Sequence, residues 1–171
     1  MRQRTNLNGF WVMSLVMLGM MCTCAAGGTL YVDVGATGSN NGSSWSDAYV
    51  TLQDGLGAAV SGDEIRVAQG TYTPDQGVGV TPGAREATFQ LKSGVAVRGG
   101  YAGNSEDDPD VRDIEEYETI LSGDLNGDDG ADFQNNGENS YHVITGSGAD
   151  QTGVVDGVTI GGGERKWGRC S

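Results

Sequence analysis

Basic residues are scarce in this chain of 171: ten Lys and Arg stand against 23 Asp and Glu, a net charge of -13. That excludes nucleic acid as an expected partner, because phosphate contacts need clustered Lys and Arg. An anionic membrane surface is disfavoured for the same reason. Five of the ten lie at the two ends (Arg2, Arg4, Arg165, Lys166 and Arg169), so the middle is more acidic than the whole. Cysteine is nearly missing too. Cys22 and Cys24 lie near the N-terminus and Cys170 is next to last, so a chain processed after them has no intramolecular disulfide to form. Histidine occurs once and proline three times. No apolar run reaches the ~20 residues of a membrane span. The strong helix formers Leu, Lys and Glu are sparse outside two short segments.

Glycine is what the chain has in excess, with 30 residues. It does not recur at every third position, so a collagen helix is excluded. Frequent Gly among scattered Val, Ile, Thr and Tyr indicates short strands joined by tight turns, and the expected class is all-β. The first 26 residues read differently. "MRQR" is basic, "FWVMSLVMLGMM" is apolar and "CTCAAGG" is small, the order of a secretory signal peptide cut after Ala26. The expected divisions are therefore a signal peptide over 1–26, a body over 27–163, and an atypical basic tail, "ERKWGRCS", over 164–171.

One helical pattern is visible in the body. Leu52, Leu56, Ala59 and Val60 recur at i, i+4, i+7 and i+8, which places them on one helix face. Thr51 is its candidate N-cap. Gly55 and Gly57 weaken it by up to ~1 kcal/mol each relative to Ala, so it needs an apolar surface to lie on. The other apolar stretches are three to five residues long: "LYVDV", "EIRVA", "ATFQL", "VAVRGGY", "TILSG", "HVITG" and "VVDGVTI". Such pieces suit one side of a solenoid coil. Ile120 and Val143 each open an apolar pair followed by a small polar residue and Gly, 23 positions apart, close to the length of one β-helix rung.

The segments "LYVDVGATGSNNGSSWSDAYVTLQDGLGAAVSGDEIRVAQGTYTP", "FQLKSGVAVRGGYAG", "TILSGDLNGDDG", "NSYHVITGSG" and "VVDGVTIGGG" resemble the N-terminal region of large secreted right-handed parallel β-helix, pectin-lyase-like proteins of bacteria. The resemblance implies a right-handed parallel β-helix whose first rungs are closed by a short N-terminal capping helix. Leu52, Leu56 and Val60 would then face a rung containing Ile65 and Val67. It also implies secretion or cell-surface display, with extracellular polysaccharide or cell-surface components as partners. Such proteins run on for many more rungs, whereas here an acidic, Gly-rich body gives way abruptly to the basic tail. That change resembles a truncated or frame-shifted reading.

A protein of this type binds, adheres, forms a spacer, or cuts polysaccharide in rungs that this chain lacks. The paired Asp, Gly-His-Gly and Arg-Ile-Lys of the hydrolases are not assembled here. Its one His, His142, lies in "SYHVI", and the Asp pairs are Asp107-Asp108 and Asp128-Asp129. A lyase needs a base such as Arg98 or Lys92, and neither stands in a recognisable setting. No catalytic residue is therefore assigned. Tyr31, Tyr72, Tyr101 and Tyr141 read either as an aromatic strip or as packing residues.

The candidate site is "SGDLNGDDG". Asp124, Asn126 and Asp128 stand at alternate positions, and Asp129 and Asp132 follow. The spacing is not that of an EF-hand: its sixth position, counted from Asp124, is Asp129 rather than Gly, and its twelfth is Asn135 rather than Glu. Calcium needs only six to eight oxygens in a flexible turn, and "QNNGEN" adds amide oxygens and Glu138. The segment is either a weak structural Ca²⁺ site or an acidic turn.

Overall fold

The computed structural model describes residues 27–162. The expected signal segment and the basic tail lie outside the described residues. The elements run β1 (Thr29–Val32), α1 (Leu52–Ala58), β2 (Glu64–Ala68), β3 (Gly70–Tyr72), β4 (Phe89–Gln90), β5 (Ala96–Tyr101), β6 (Thr119–Ser122), β7 (Ile144–Thr145), β8 (Val154–Asp156) and β9 (Thr159–Gly161). Every pairing between them is parallel. One sheet has the order β1-β2-β5-β8, a second β3-β6-β9, and a third β4-β7. From β2 onward the chain visits the first, second and third sheets in turn, repeats the circuit, and enters the first and second again.

Residues stack in columns across the circuits. Ile65 stands opposite Val97, and Val97 opposite Val155. In the second sheet Ile120 stands between Thr71 and Thr159. In the third, Phe89 pairs with Ile144. Ile120 and Ile144 therefore belong to different sheets, so the 23-residue spacing between "ILSG" and "VITG" does not measure a full circuit. The residue numbers in each column show no constant circuit length, because loops of very different size leave the corners.

Side chains that alternate inward form a single column of apolar packing: Val32, Ile65, Val67, Tyr72, Phe89, Val95, Val97, Leu121 and Val158 are buried together with Leu52, Leu56 and Ala59. Strands of two to six residues suffice because each contributes only one or two inward residues per circuit. At one corner the backbone must stay bare. A Cβ on Gly99 would fall 2.5 Å from Gly157 O and 2.8 Å from Thr119 Cβ. Gly157 itself has φ +69°, where L side chains are strained.

Helix α1 begins as its sequence indicates. The Thr51 hydroxyl accepts from Asp54 N at 3.3 Å, which satisfies one of the free N–H groups of the first turn. Leu52 and Leu56 are buried against β1 and β4, and Ala59, the C-cap residue, is buried with them. Val60 departs from the expected face: it is 64% exposed. The helix has already ended at Ala58, and Ala59 is extended (φ -63°, ψ 141°), so the 3.6-residue period no longer governs where Val60 points. Lys92 closes the helix end by donating from Nζ to Gly57 O at 3.1 Å and Ala59 O at 3.0 Å. No helix among the described residues is long and apolar enough to cross a membrane.

Candidate metal centre

The acidic loop leaves the second sheet after β6 and is pinched at its base. Gly123 N donates to Gly161 O at 2.6 Å, and Ser140 N donates to Gly123 O at 2.8 Å. Residues 124–139 are thus an excursion from a fixed neck. The chain within it folds around one carboxylate. Asp124 Oδ1 accepts from Gly127 N at 2.7 Å and Asp128 N at 3.2 Å, and its Oδ2 accepts from Asp129 N at 3.1 Å. Gly127 supplies the required turn, with φ +70°. Asn135, itself left-handed at φ 61°, donates from Nδ2 to Asp128 O at 2.9 Å and ties the far side of the loop back.

This wrapping brings Asp124, Asp128 and Glu138 together, with one carboxylate oxygen from each lying within 4.8 Å of the other two. Asp129 adjoins them and accepts at Oδ2 from Asn139 Nδ2 at 2.8 Å. Asn126 is exposed at the tip. Asp132 is exposed in a left-handed conformation, φ 58°, and is not one of the three grouped carboxylates. Glu138, fourteen residues beyond Asp124, joins the group because the loop folds back on itself, which local spacing cannot express.

Whether these residues fit a cation can be judged from their unsatisfied atoms. Asp129 Oδ1, Glu138 Oε1 and Asn139 Oδ1 are inaccessible to solvent and accept no hydrogen bond, and Ser140 Oγ beside them is also without a partner. A buried acceptor without a donor costs ~1–3 kcal/mol. Several in one loop, beside three carboxylates, are what a hard cation would satisfy. The donors are all oxygen, which suits Ca²⁺ or Mg²⁺ rather than metals that prefer His or Cys. No Lys or Arg occurs between Arg112 and Arg165 to neutralise the loop. His142 is exposed, just before β7.

The residues weighed as lyase bases are held elsewhere. On the outer face of the first sheet, Arg66 and Arg98 are neighbours in register, and Arg98 stands opposite Asp156. Arg66 Nε pairs with Glu64 Oε1 at 2.8 Å and its Nη1 with Asp110 Oδ1 at 2.9 Å. Arg98 Nη1 donates to Asp156 Oδ2 at 3.0 Å; its Nε lies 3.0 Å from Glu64 Oε2 but is not aligned to donate, so that contact is ionic only. Arg112 Nη2 reaches the same Asp156 oxygen at 3.0 Å. Asp110, from the acidic run 106–118, also accepts from Trp45 Nε1 at 3.1 Å and latches that run onto the sheet.

The tyrosines do not form a strip. Tyr72 is buried in the main core, and Tyr31 and Tyr101 pack on Trp45 with ring centroids 4.9 and 5.6 Å away. Only Tyr141 is exposed, with the Arg85 guanidinium 4.6 Å over its ring. Sequence reasoning missed two buried carboxylates. Asp33 accepts from Gly35 N, Asn104 N and Asn104 Nδ2 at 2.8–3.0 Å. Asp75 accepts from the Thr73 hydroxyl, Gln76 Nε2 and Gly83 N. Their only sequence signal is an Asp two residues from Gly or Thr, which most surface turns share.

Set against protein-family models, curated proteins and solved structures, the chain matches none of them.

Proposed function

We propose that the chain is the capped N-terminal part of a right-handed parallel β-helix, exported by a bacterium, that serves in binding, adhesion or structural support without a catalytic site of its own. The observation that carries this reading is the fixed rotation through three parallel sheets, with α1 packed against the first circuits. A solenoid end exposes stacked apolar side chains and unpaired strand edges, and a docked helix covers both. The resemblance of its segments to secreted pectin-lyase-like proteins agrees with that geometry. Extracellular polysaccharide or cell-surface components are the partners such a scaffold would meet. Arg98 and Lys92, bound to carboxylates and helix-end carbonyls, are spent on structure, which favours a scaffold over a lyase.

In this reading the loop over 124–139 holds Ca²⁺ through Asp124, Asp128 and Glu138, with Asp129 beside them, and the ion fixes the loop to its neck. Affinity is weak, about 10⁻⁴–10⁻³ M, as in extracellular modules. Binding to the native form alone then adds about 1–3 kcal/mol of stability at tens of millimolar calcium. The test is thermal melting in calcium, in magnesium and in chelator. A calcium-specific rise in melting temperature, abolished by Asp124→Ala with Asp128→Ala, is expected. Equal shifts from both metals would reduce the effect to charge screening. No shift at all would leave an acidic turn.

A further inference from the structure

The N-terminal edge of the described chain is held by one carboxylate that has no cation. Asp63 Oδ1 accepts from Gly28 N at 2.7 Å, and its Oδ2 accepts from Val60 N at 2.8 Å, so this side chain joins the start of β1 to the turn after α1. Gly28 O accepts from Glu64 N at 2.9 Å and extends the β1–β2 ladder by one residue. Gly27 is pressed against the same turn: a Cβ there would fall 1.6 Å from Gly62 O and 2.2 Å from Gly62 C. Only glycine fits at 27, the residue that precedes the Gly28 N–H bonded to the Asp63 carboxylate. Among the described residues, the ion pairs of Arg66, Arg98 and Arg112 go to Glu64, Asp110 and Asp156, and none reaches Asp63.

We propose that the missing cation is the α-ammonium of Gly27, created when the chain is cut after Ala26, and that it clasps Asp63 and locks β1 onto the α1–β2 turn. This rests on the reading of residues 1–26 as a signal peptide. The step is hydrolysis of the Ala26–Gly27 peptide bond by water, catalysed by the exporting peptidase. Ala26 leaves as a carboxylate, and the freed Gly27 amine takes up a proton at neutral pH. Before the cut, residue 27 carries a neutral amide and Asp63 receives only neutral backbone donors. After it, the same carboxylate has a full positive charge beside it. Processing would thus strengthen the fold at the edge where the parallel stack begins.

Three charged side chains belong to, or bond to, the turn after α1 and the start of β2. Asp63 is on the turn, Glu64 begins β2 with its carboxylate committed to Arg66 and Arg98, and Lys92 sits with its ammonium on the Gly57 and Ala59 carbonyls. Lys92 opposes the protonated amine and Asp63 favours it. Asp63, being bonded to the adjacent residue, is the nearer influence. If the clasp forms, the amine should titrate above its ordinary ~7.7–8.0. A raised folded-state value gives stability that is complete below the unfolded value and is lost as pH rises through the folded one.

Two proteins test this, each keeping every described residue: one released from a carrier so that it begins at Gly27, the other retaining Ala25 and Ala26 ahead of it. The Gly27 form should melt higher at pH 6. Its advantage should fade above about pH 8–9 as the amine loses its proton. NMR titration of the ¹⁵N-labelled amine should show the raised value, and Asp63→Asn should return it to normal. Equal melting of the two forms at pH 6, or an amine unmoved by Asp63→Asn, would overturn the clasp. The export reading is scored separately, by the N-terminal mass of the secreted protein. A start other than Gly27 would sink that reading whatever the engineered pair shows.

Discussion

Thr119→Val removes a single oxygen from the corner where the first and second sheets meet. Thr119 is 1% exposed. Its hydroxyl accepts from Gly100 N at 2.9 Å and donates toward Ala68 O at 3.1 Å and Val67 O at 3.3 Å. Valine keeps the shape, so no cavity term arises. What is lost is the acceptor for Gly100 N–H, in a corner otherwise lined by the apolar side chains of Ile114 and Val158. Ala68 O retains the Tyr72 hydroxyl at 3.1 Å, so it is not orphaned. One buried N–H without a partner costs ~1–3 kcal/mol, and the lost donation adds up to ~1 kcal/mol more. About 2–3 kcal/mol is expected in all. Thr119→Ser is the control, since it keeps the oxygen and removes one methyl, a change of about 0.5–1.5 kcal/mol by analogy with Ile→Val. Urea unfolding separates the two. With a slope near ~2 kcal/mol/M, Val should lower the midpoint by about 1 M or slightly more without altering the slope, and Ser by about half that or less. If Ser proved as costly as Val, the corner would be held by packing and the hydroxyl would be incidental.

Four further outcomes are expected. Leu56→Asp should cost at least ~3 kcal/mol, because it puts a charge into the helix–sheet contact, whereas Val60→Asp, on an exposed residue just past the helix, should stay within about 0.5 kcal/mol; thermal melts of both decide where the helix docks. For calcium, Glu138→Gln should reduce the stabilising shift and Asp132→Asn should leave it unchanged; the reverse order, read by calorimetric titration, would mean that another set of oxygens binds the ion. Asp75 is subject to opposed effects: burial works against its charge, but hydrogen bonds from Gly83 N, Thr73 and Gln76 outweigh burial and hold the carboxyl below the usual carboxylate range. A lowered folded value gives stability that is present above the unfolded value near ~3.9 and lost as pH falls through the folded one, so Asp75→Asn should flatten the acid limb of a stability–pH curve below about pH 4. Lys92→Met should lower the melting temperature modestly by freeing the Gly57 and Ala59 carbonyls, and Lys92→Arg should recover part of the loss.

Much of the local structure was legible from residue patterns. Glu64–Ala68 alternates, and the structure buries Ile65 and Val67 while leaving Glu64 and Arg66 outward. Thr51 caps α1 because its hydroxyl can reach a free N–H from the N-cap position. Leu52 and Leu56 mark the docked face. The same periodicity failed at Val60, because a helix period says nothing about where the helix stops. In the acidic loop, alternate spacing brought out Asp124 and Asp128, which the structure groups, and Asp132, which it does not. Glu138 entered the group through a fold-back governed by Gly127, Asn135 and the neck at Gly123 and Ser140.

Composition and local period by themselves determined that this is an acidic chain of short strands and tight turns, with one short helix too weak to stand alone and one loop rich in uncompensated oxygens. Both depend on residues close in sequence, where side-chain size, branching and charge act directly on the backbone. Parallel strands were already implied by the resemblance; tertiary structure alone decided how the strands divide among three sheets, that Ile120 and Val143 do not mark a single circuit, and that Arg66, Arg98 and Arg112 meet Glu64, Asp110 and Asp156. Apart from Arg66 with Glu64, two positions away on the same strand, those pairings join residues 30 to 60 positions apart through loops of unequal length. Such contacts are selected by the free energy of burying a shared core, a property of the whole chain that no short window of sequence contains.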